Sequence, residues 1–290
     1  MMHIALSPFA ITRPASLDDF INTIDARLTA AKAGGADLLV LPEYASLALA
    51  GAFVATPDVM AELDAVVSRA DALIAAFRSL ARHHAIMLLP GTLPMRGTDN
   101  AIHNRAPLID GNGAIAFQDK RVMTRFESEC WGIAPGAAPC VFATDFGRLG
   151  IAICYDSEFP LLTRAQVLAG ADIILIPTCT DSLHGFNRVR LSARARALEN
   201  QCFTALAPTT GIAPWSATLD ENHGYACTFG PIDRGFPDNG VIARGVLDTP
   251  DLLFVTLDPA ALAQTRADPA VRNRADWPSD PPPATVVALA

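Results

Sequence analysis

The chain has 290 residues, 51% of them hydrophobic, and a formal net charge of −8 with a pI of about 5.2. That length lets one fold bury roughly 75% of the surface its unfolded chain exposes, and the acidic balance argues against nucleic acid as a partner. No apolar stretch is long enough to span a bilayer, and the start, Met1-Met2-His3-Ile4, lacks the basic region and cleavage site of a signal peptide, so a cytoplasmic protein is expected.

A short strand is expected over His3–Phe9. Ser16 reads as the N-cap of a helix with Leu17, Phe20, Ile21, Ile24 and Leu28 at helical spacing, ended by Gly34-Gly35. Asp37–Glu43 reads as a buried strand that ends on a carboxylate, Leu63–Leu80 as a second amphipathic helix and Ala85–Thr92 as a third strand. Asn104–Ile109 and Ala114–Phe117 form a hairpin around Asp110-Gly111-Asn112-Gly113, and Lys120 follows. A second hairpin joins Cys140–Phe146 to Arg148–Ile153 around Gly147. Its apolar run, Leu149 to Ile153, stops at Cys154; a polar turn follows, and Pro160 opens a helical pattern through Leu161, Leu162, Ala165, Leu168 and Ala169. Strands are expected over Asp172–Pro177, Phe203–Pro208, Tyr225–Ile232, Val241–Val246 and Leu252–Leu257, a helix over Arg188–Gln201, and a last short helix from Asp258-Pro259.

Helices alternating with apolar strands in both halves, with hairpins between, give α/β layers over mixed sheets. One domain is expected over 1–265. From Arg266 to 290 the composition turns polar, and Pro281–Pro283 forbids a helix or central strand. This tail is expected either on the surface, against a second subunit, or without order. The six cysteines (Cys130, Cys140, Cys154, Cys179, Cys202 and Cys227) are scattered without a C-x-x-C pair, which favours reduced thiols over disulfides. Cys179 and His184 are too few for a zinc site, and no metal, nucleotide or flavin signature is present.

Glu43, Lys120 and Cys154 sit at or just beyond strand ends, where ligands of α/β sheets bind. Singly, each has a plain structural reading: a capping acid, a solvated lysine, an inert thiol. Together they supply three roles that amide hydrolysis needs: a thiolate nucleophile, a base that moves its proton, and a cation for the oxyanion. Lys120 is expected to lower the Cys154 pKa, and Glu43 to keep Lys120 charged.

Three motifs then carry a resemblance over nearly the whole chain: Leu41-Pro42-Glu43; Phe117-Gln118-Asp119-Lys120 leading to Glu127; and Cys154-Tyr155-Asp156-Ser157-Glu158-Phe159-Pro160. With Arg194-Ala195-Arg196-Ala197-Leu198-Glu199-Asn200 as a fourth, the chain resembles the nitrilase superfamily of carbon–nitrogen hydrolases. The resemblance implies a four-layer αββα sandwich that dimerises into a longer stack, Glu43 as general base, Lys120 as oxyanion stabiliser and Cys154 as nucleophile. It further implies that Glu127 orients Lys120, that the Tyr155 N–H is a second oxyanion donor, and that no cofactor is needed. Superfamily members that cleave nitriles usually carry Trp-Glu after the cysteine. Tyr155-Asp156 points instead to a small amide or N-carbamoyl substrate, with a nitrilase, an acyltransferase or a binding protein on the same fold as alternatives. A papain-like Cys/His arrangement using His184 is a further alternative.

The chain departs from the family pattern after Lys120, where Arg121-Val122-Met123-Thr124-Arg125-Phe126 stands, at Ser7, and at Thr228–Gly235. Pocket candidates are Glu158, Trp131 and the run Thr178-Cys179-Thr180-Asp181. Glu158 is read either as a helix cap or as a partner for a substrate amine, and Trp131 either as core or as pocket wall. Arg188, Arg190, Arg194 and Arg196 lie on one helix and are expected to form a solvated and interface-pairing face rather than an anion-binding one.

Overall fold

A computed structural model describes residues 1–278, 280 and 283–288. In chain order the elements are β1 (Met2–Leu6), β2 (Phe9–Ala10), α1 (Leu17–Ala33), β3 (Leu38–Val40), α2 (Val59–Val67), α3 (Ala70–His84), β4 (Met87–Leu89), β5 (Leu93–Arg96), β6 (Ile102–Ile109), β7 (Ile115–Asp119), β8 (Val141–Thr144) and β9 (Gly147–Ile151). There follow α4 (Pro160–Leu168), β10 (Ile173–Thr178), α5 (Leu183–Asn200), β11 (Phe203–Ile212), β12 (Glu221–Asn222), β13 (Cys227–Phe229), β14 (Val241–Arg244), β15 (Leu253–Leu257) and α6 (Pro259–Ala267). Short 3₁₀ segments follow Glu43 (Ala45–Ala52) and begin at Cys154 (Cys154–Glu158).

The strands make two mixed sheets. One runs β15-β1-β3-β4-β6-β5 with β7 on β6; the other runs β14-β13-β11-β10-β9-β8 with β2 and β12 on β11. Pleating assigns the faces. Ile4, Leu6, Leu38, Val40 and Leu89 join the cluster that contains the second sheet's Leu149, Ile151, Ile173 and Leu175, whereas Ala5, Leu39 and Leu88 face the helices α1 and α3 through Ile24, Leu28, Leu73 and Phe77. Helices α4 and α5 cover the second sheet. The result is the expected αββα sandwich. The expected caps form: Ser16 accepts from Asp19 N, and Asp258 accepts from Ala260 N.

The structure corrects three expectations. Leu63–Leu80 is two helices, because Arg69 leaves helical geometry (φ −112°, ψ 6°) and its guanidinium donates back to Ala65 O while covering the Phe53 ring. Apolar spacing continues through the break, with Leu63, Val66, Ala70, Leu73 and Phe77 all buried, so periodicity could not reveal it. The expected Asp37–Glu43, Ala85–Thr92 and Tyr225–Ile232 strands are shorter, spanning Leu38–Val40, Met87–Leu89 and Cys227–Phe229. The arginines of α5 do not share one solvated face: Arg188 is exposed, but Arg196 is buried, pairs with Glu199 and donates to Ser157 O.

Just beyond α6 the segment 270–277 lies on the protein's own surface: Ala270 N donates to Asp233 and Val271 O accepts from Gln201 Nε2. Arg164 donates to Arg274 O at 2.8 Å and stands over the Trp277 ring. Of the proline run 281–283, Pro281 and Pro282 lie outside the described residues.

Candidate active site

Glu43 leaves β3 through Leu41-Pro42. Leu41 N donates to Leu89 O, which extends the β3–β4 ladder by one bond. Gly91 lets the chain pass: its φ is +81°, and a Cβ there would stand 1.8 Å from Pro42 O. Tyr44 then takes the left-handed conformation (φ 58°), and its N–H is held by Thr92 Oγ1. This turn drives the Glu43 carboxyl inward, where it is 1% exposed.

Lys120 comes from the end of β7, with its N–H on Asn104 O. Its Nζ donates to Glu43 Oε1 at 2.8 Å and to Glu127 Oε2 at 2.7 Å. Glu127 is presented by a single π-helical turn, Phe126–Cys130, a distortion that recurs at functional sites. Its carboxylate also accepts from Tyr44 Oη, Asn104 Nδ2, Thr124 N and Thr124 Oγ1. Asn104 bridges the two carboxylates, donating to Glu43 Oε1 at 2.9 Å as well.

Cys154 lies just past β9 with φ 47°, a strained conformation for a side chain other than glycine. The turn is pinned from three sides. Ser157 Oγ donates to Cys154 O, Arg196 holds Ser157 O, and the Asp156 carboxyl accepts the N–H groups of Arg121 and Val122. The last contact ties the cysteine turn to the segment after Lys120. Cys154 is 4% exposed; its sulfur receives a hydrogen bond from Thr178 Oγ1 at 3.0 Å and its thiol donates to the carbonyl of Cys179 at 3.6 Å, the residue whose N–H donates to Glu43 Oε2. Tyr155 N–H opens the 3₁₀ turn, where helix geometry leaves donors without an intrahelical partner.

The charges divide unequally. Burial raises the Glu43 carboxyl above its ordinary range, despite Lys120 beside it. Burial acts on Glu127 in the same direction, yet Lys120, with Thr124 N and Tyr44 Oη donating, holds it below that range. Burial alone would depress Lys120, but the two carboxylates outweigh it and hold the ammonium well above its usual value. Two neighbouring acids pushed apart are the pattern of a proton acceptor beside a permanent anion. The expected lowering of the Cys154 pKa is not what results. Burial and then Glu43 drive the thiol well above its ordinary value, and the opposing influence of Lys120 is smaller. Asp156 is raised to about 6 by burial.

The three strand-end residues and Glu127 thus come together. Thr178, at the end of β10, is fully buried and directs its hydroxyl at the Cys154 sulfur. Trp131 is half-buried and packs edge-on against Tyr44 at 5.3 Å. Glu158 makes no cap for α4; it pairs with Arg188 at 3.6 Å at the end of the cysteine turn. His184 sits in the exposed first turn of α5, and the groups acting on the Cys154 thiol are Glu43, Lys120, Thr178 and Cys179. The sequence reading missed Tyr44, Asn104 and Thr124. Adjacency to Glu43 could have flagged Tyr44; Asn104 reaches Glu43 only through sheet pairing and carries no local signal. Among the described residues no group of three or more His, Cys, Asp or Glu side chains is arranged for a metal, and no helix is long and apolar enough to cross a membrane.

The carbon-nitrogen hydrolase family model matches residues 4–267. The probable hydrolase YhcX of Bacillus subtilis is 28% identical over 275 residues, 95% of this chain but 53% of its own length, so the chain spans about half of that relative. A hydrolase in the pqqF 5' region of Pseudomonas protegens is 32% identical over 256 residues, covering 88% of this chain and 83% of the relative. The solved structure of an amidase from Nesterenkonia sp. superposes with a TM-score of 0.70 at 27% identity, covering 92% of this chain and 98% of that one. Nit3 of Saccharomyces cerevisiae, at 20% identity, shares the fold with a TM-score of 0.71 over 92% of this chain and 93% of its own. The chain belongs to the carbon-nitrogen hydrolase family and, with it, to the nitrilase superfamily.

Proposed function

We propose that the protein hydrolyses the C–N bond of a small amide or N-carbamoyl compound through a thioester on Cys154. The observation that carries this reading is the buried Lys120 ammonium bonded at once to Glu43 and Glu127, with Cys179 joining Glu43 to the Cys154 thiol through its N–H and its carbonyl. Glu43, the carboxyl pushed upward, takes the thiol proton as sulfur attacks the carbonyl carbon. The raised thiol pKa favours transfer during attack over a standing thiolate. Lys120 Nζ and the Tyr155 N–H receive the oxyanion, a role in which removing one donor costs about 2.7–4 kcal/mol. Collapse of the tetrahedral adduct breaks the C–N bond, and Glu43 returns the proton to the leaving nitrogen. Glu43 then takes a proton from water, whose oxygen attacks the thioester carbon. The acid is released and the proton returns to sulfur. Glu127 holds Lys120 in place and keeps it charged.

The near-complete burial of Cys154 supports a small substrate, and Tyr155-Asp156 supports an amide over a nitrile. Glu158, Thr178 and Trp131 border the reacting thiol or its partners and are proposed to shape the substrate position. In a glutamate-to-glutamine variant of the Nesterenkonia amidase acrylamide adds to the active-site cysteine, and butyramide binds a cysteine-to-alanine variant, which agrees with this substrate class. Six free cysteines suit a reducing compartment such as the cytoplasm. The exposed Leu161 and Leu168 of α4 suit a homodimer, which light scattering tests.

The test is intact-protein mass spectrometry after brief incubation with small amides, N-carbamoyl amino acids and nitriles. Wild type is expected to gain the mass of an acyl group on Cys154, and Glu43→Gln, if it acylates, to retain it. Cys154→Ala is expected to fold and gain nothing; turnover by that variant refutes the reading.

A further inference from the structure

Glu62 lies on α2, outside the cluster just described, and is 1% exposed. Its carboxylate accepts four donors from one loop. Oε1 takes Ala217 N at 2.7 Å; Oε2 takes Ser216 Oγ at 2.7 Å, Thr218 N at 3.0 Å and Thr218 Oγ1 at 2.6 Å. No cation is among these partners, and burying the carboxylate is costly without the four loop donors. The loop is therefore wound around this carboxylate.

The same loop leads back to the active site along two routes. Leu219 O and Gly211 O accept from Asn222 Nδ2 at 2.7 and 3.3 Å, and Asn222, itself fully buried, accepts the Cys179 thiol at 3.5 Å. Cys179 N in turn donates to Glu43 Oε2 at 3.1 Å, on the oxygen that Lys120 leaves free. By the second route, Trp215 lies on Gly51, in the 3₁₀ segment that follows Glu43-Tyr44; a Cβ at Gly51 would stand 2.7 Å from Trp215 Cζ3.

We infer that Glu62 is a positioning residue for the general base: it fixes the 213–222 loop, and through Asn222 and Cys179 that loop fixes the Glu43 carboxyl against Cys154. The inference rests on the reading of Glu43 as the base. The Cys179 N–H stabilises the charged form of Glu43, so displacing it makes Glu43 a weaker acid and moves it from the thiol.

Glu62→Gln tests this with little change of shape. Whichever way the amide turns, its NH₂ meets a backbone N–H, either Ala217 N or Thr218 N, and neither can turn away. Thr218→Val removes one of the four donors and disturbs folding least. Asn222→Ala cuts the link beyond the clamp. The readout is the rate of Cys154 alkylation by iodoacetamide against pH, with Glu43→Gln as reference and circular dichroism to verify folding. It needs no known substrate.

All three variants are expected to move the alkylation profile toward that of Glu43→Gln, with Thr218→Val moving least and Glu62→Gln changing the rate at neutral pH roughly tenfold in the direction that Glu43→Gln sets, about the worth of one hydrogen bond to a charged group. If folded Thr218→Val and Asn222→Ala superimpose on wild type while Glu43→Gln does not, the positioning role is overturned and the base assignment stands. If Glu43→Gln itself leaves the profile unchanged, both fall together.

Discussion

Replacing Lys120 by methionine keeps an unbranched side chain, shorter by the terminal nitrogen, and removes its charge. The ammonium lies 2.8 Å from Glu43 and 2.7 Å from Glu127, with all three groups buried. At an effective dielectric constant of ~20 each contact is worth ~6 kcal/mol of gross attraction. Desolvation offsets most of this, and removing one partner of a buried pair costs about 3–5 kcal/mol net. The variant is left with two facing carboxyls and no cation, so both fold with pKa values above the ordinary carboxylate value. Their stabilising share is then present below that value and lost as pH rises. The loss reaches about 1.4 kcal/mol per pH unit for each proton released. In the wild type the two groups oppose each other: Glu127, held low, contributes stability above the ordinary range and loses it as pH falls, while Glu43, held high, does the reverse. Urea denaturation near pH 5 and near pH 8 (about one and about four units above the unfolded carboxylate value) therefore separates the two proteins. Lys120→Met is expected to lose about 3–5 kcal/mol at the higher pH and much less at the lower. A loss under about 1 kcal/mol, the range of an exposed ion pair, or an equal loss at both pH values refutes the electrostatic reasoning.

Thr178→Val removes the hydroxyl that donates to the Cys154 sulfur. Cys154 alkylation at neutral pH is expected to slow roughly ten- to a hundredfold, the worth of a hydrogen bond to a charged acceptor, and an unchanged rate would show that the contact does not reach the thiolate. Asp156, raised to about 6, contributes stability that is present at low pH and lost as pH rises through about 6. Asp156→Asn should flatten that part of the stability–pH curve, which a urea series checks; an unchanged slope contradicts the assignment. Gly91→Ala places a methyl group 1.8 Å from Pro42 O at a φ of +81°. The backbone conformation alone costs about 1–3 kcal/mol, and the clash, which displaces Glu43, adds to it. Thermal unfolding measures the loss, and a wild-type midpoint with full amide turnover argues against a tight passage there.

Much of this protein was written locally. Short continuous apolar runs and Gly, Pro and Asx turns located most of the strands and both hairpins, because a strand covered on both faces is apolar throughout and a tight turn needs particular residues. Ser16 and Asp258 marked helix starts through their own side chains, and Glu43, Lys120 and Cys154 stood out because chemistry-bearing residues ended apolar strands. Tertiary structure decided what spacing along the chain cannot hold. Lys120 meets Glu43 across 77 residues and Cys179 N reaches Glu43 across 136, the first because both strands belong to one sheet and the second because the two sheets pack face to face. Asn104, polar within a strand, became a bridge between two acids only once β6 lay beside β7. The Cys154 pKa turned the other way for the same reason. Sequence shows which charges are near one another in number, whereas desolvation depends on how completely the packed sheets exclude water, and here burial outweighs the lysine.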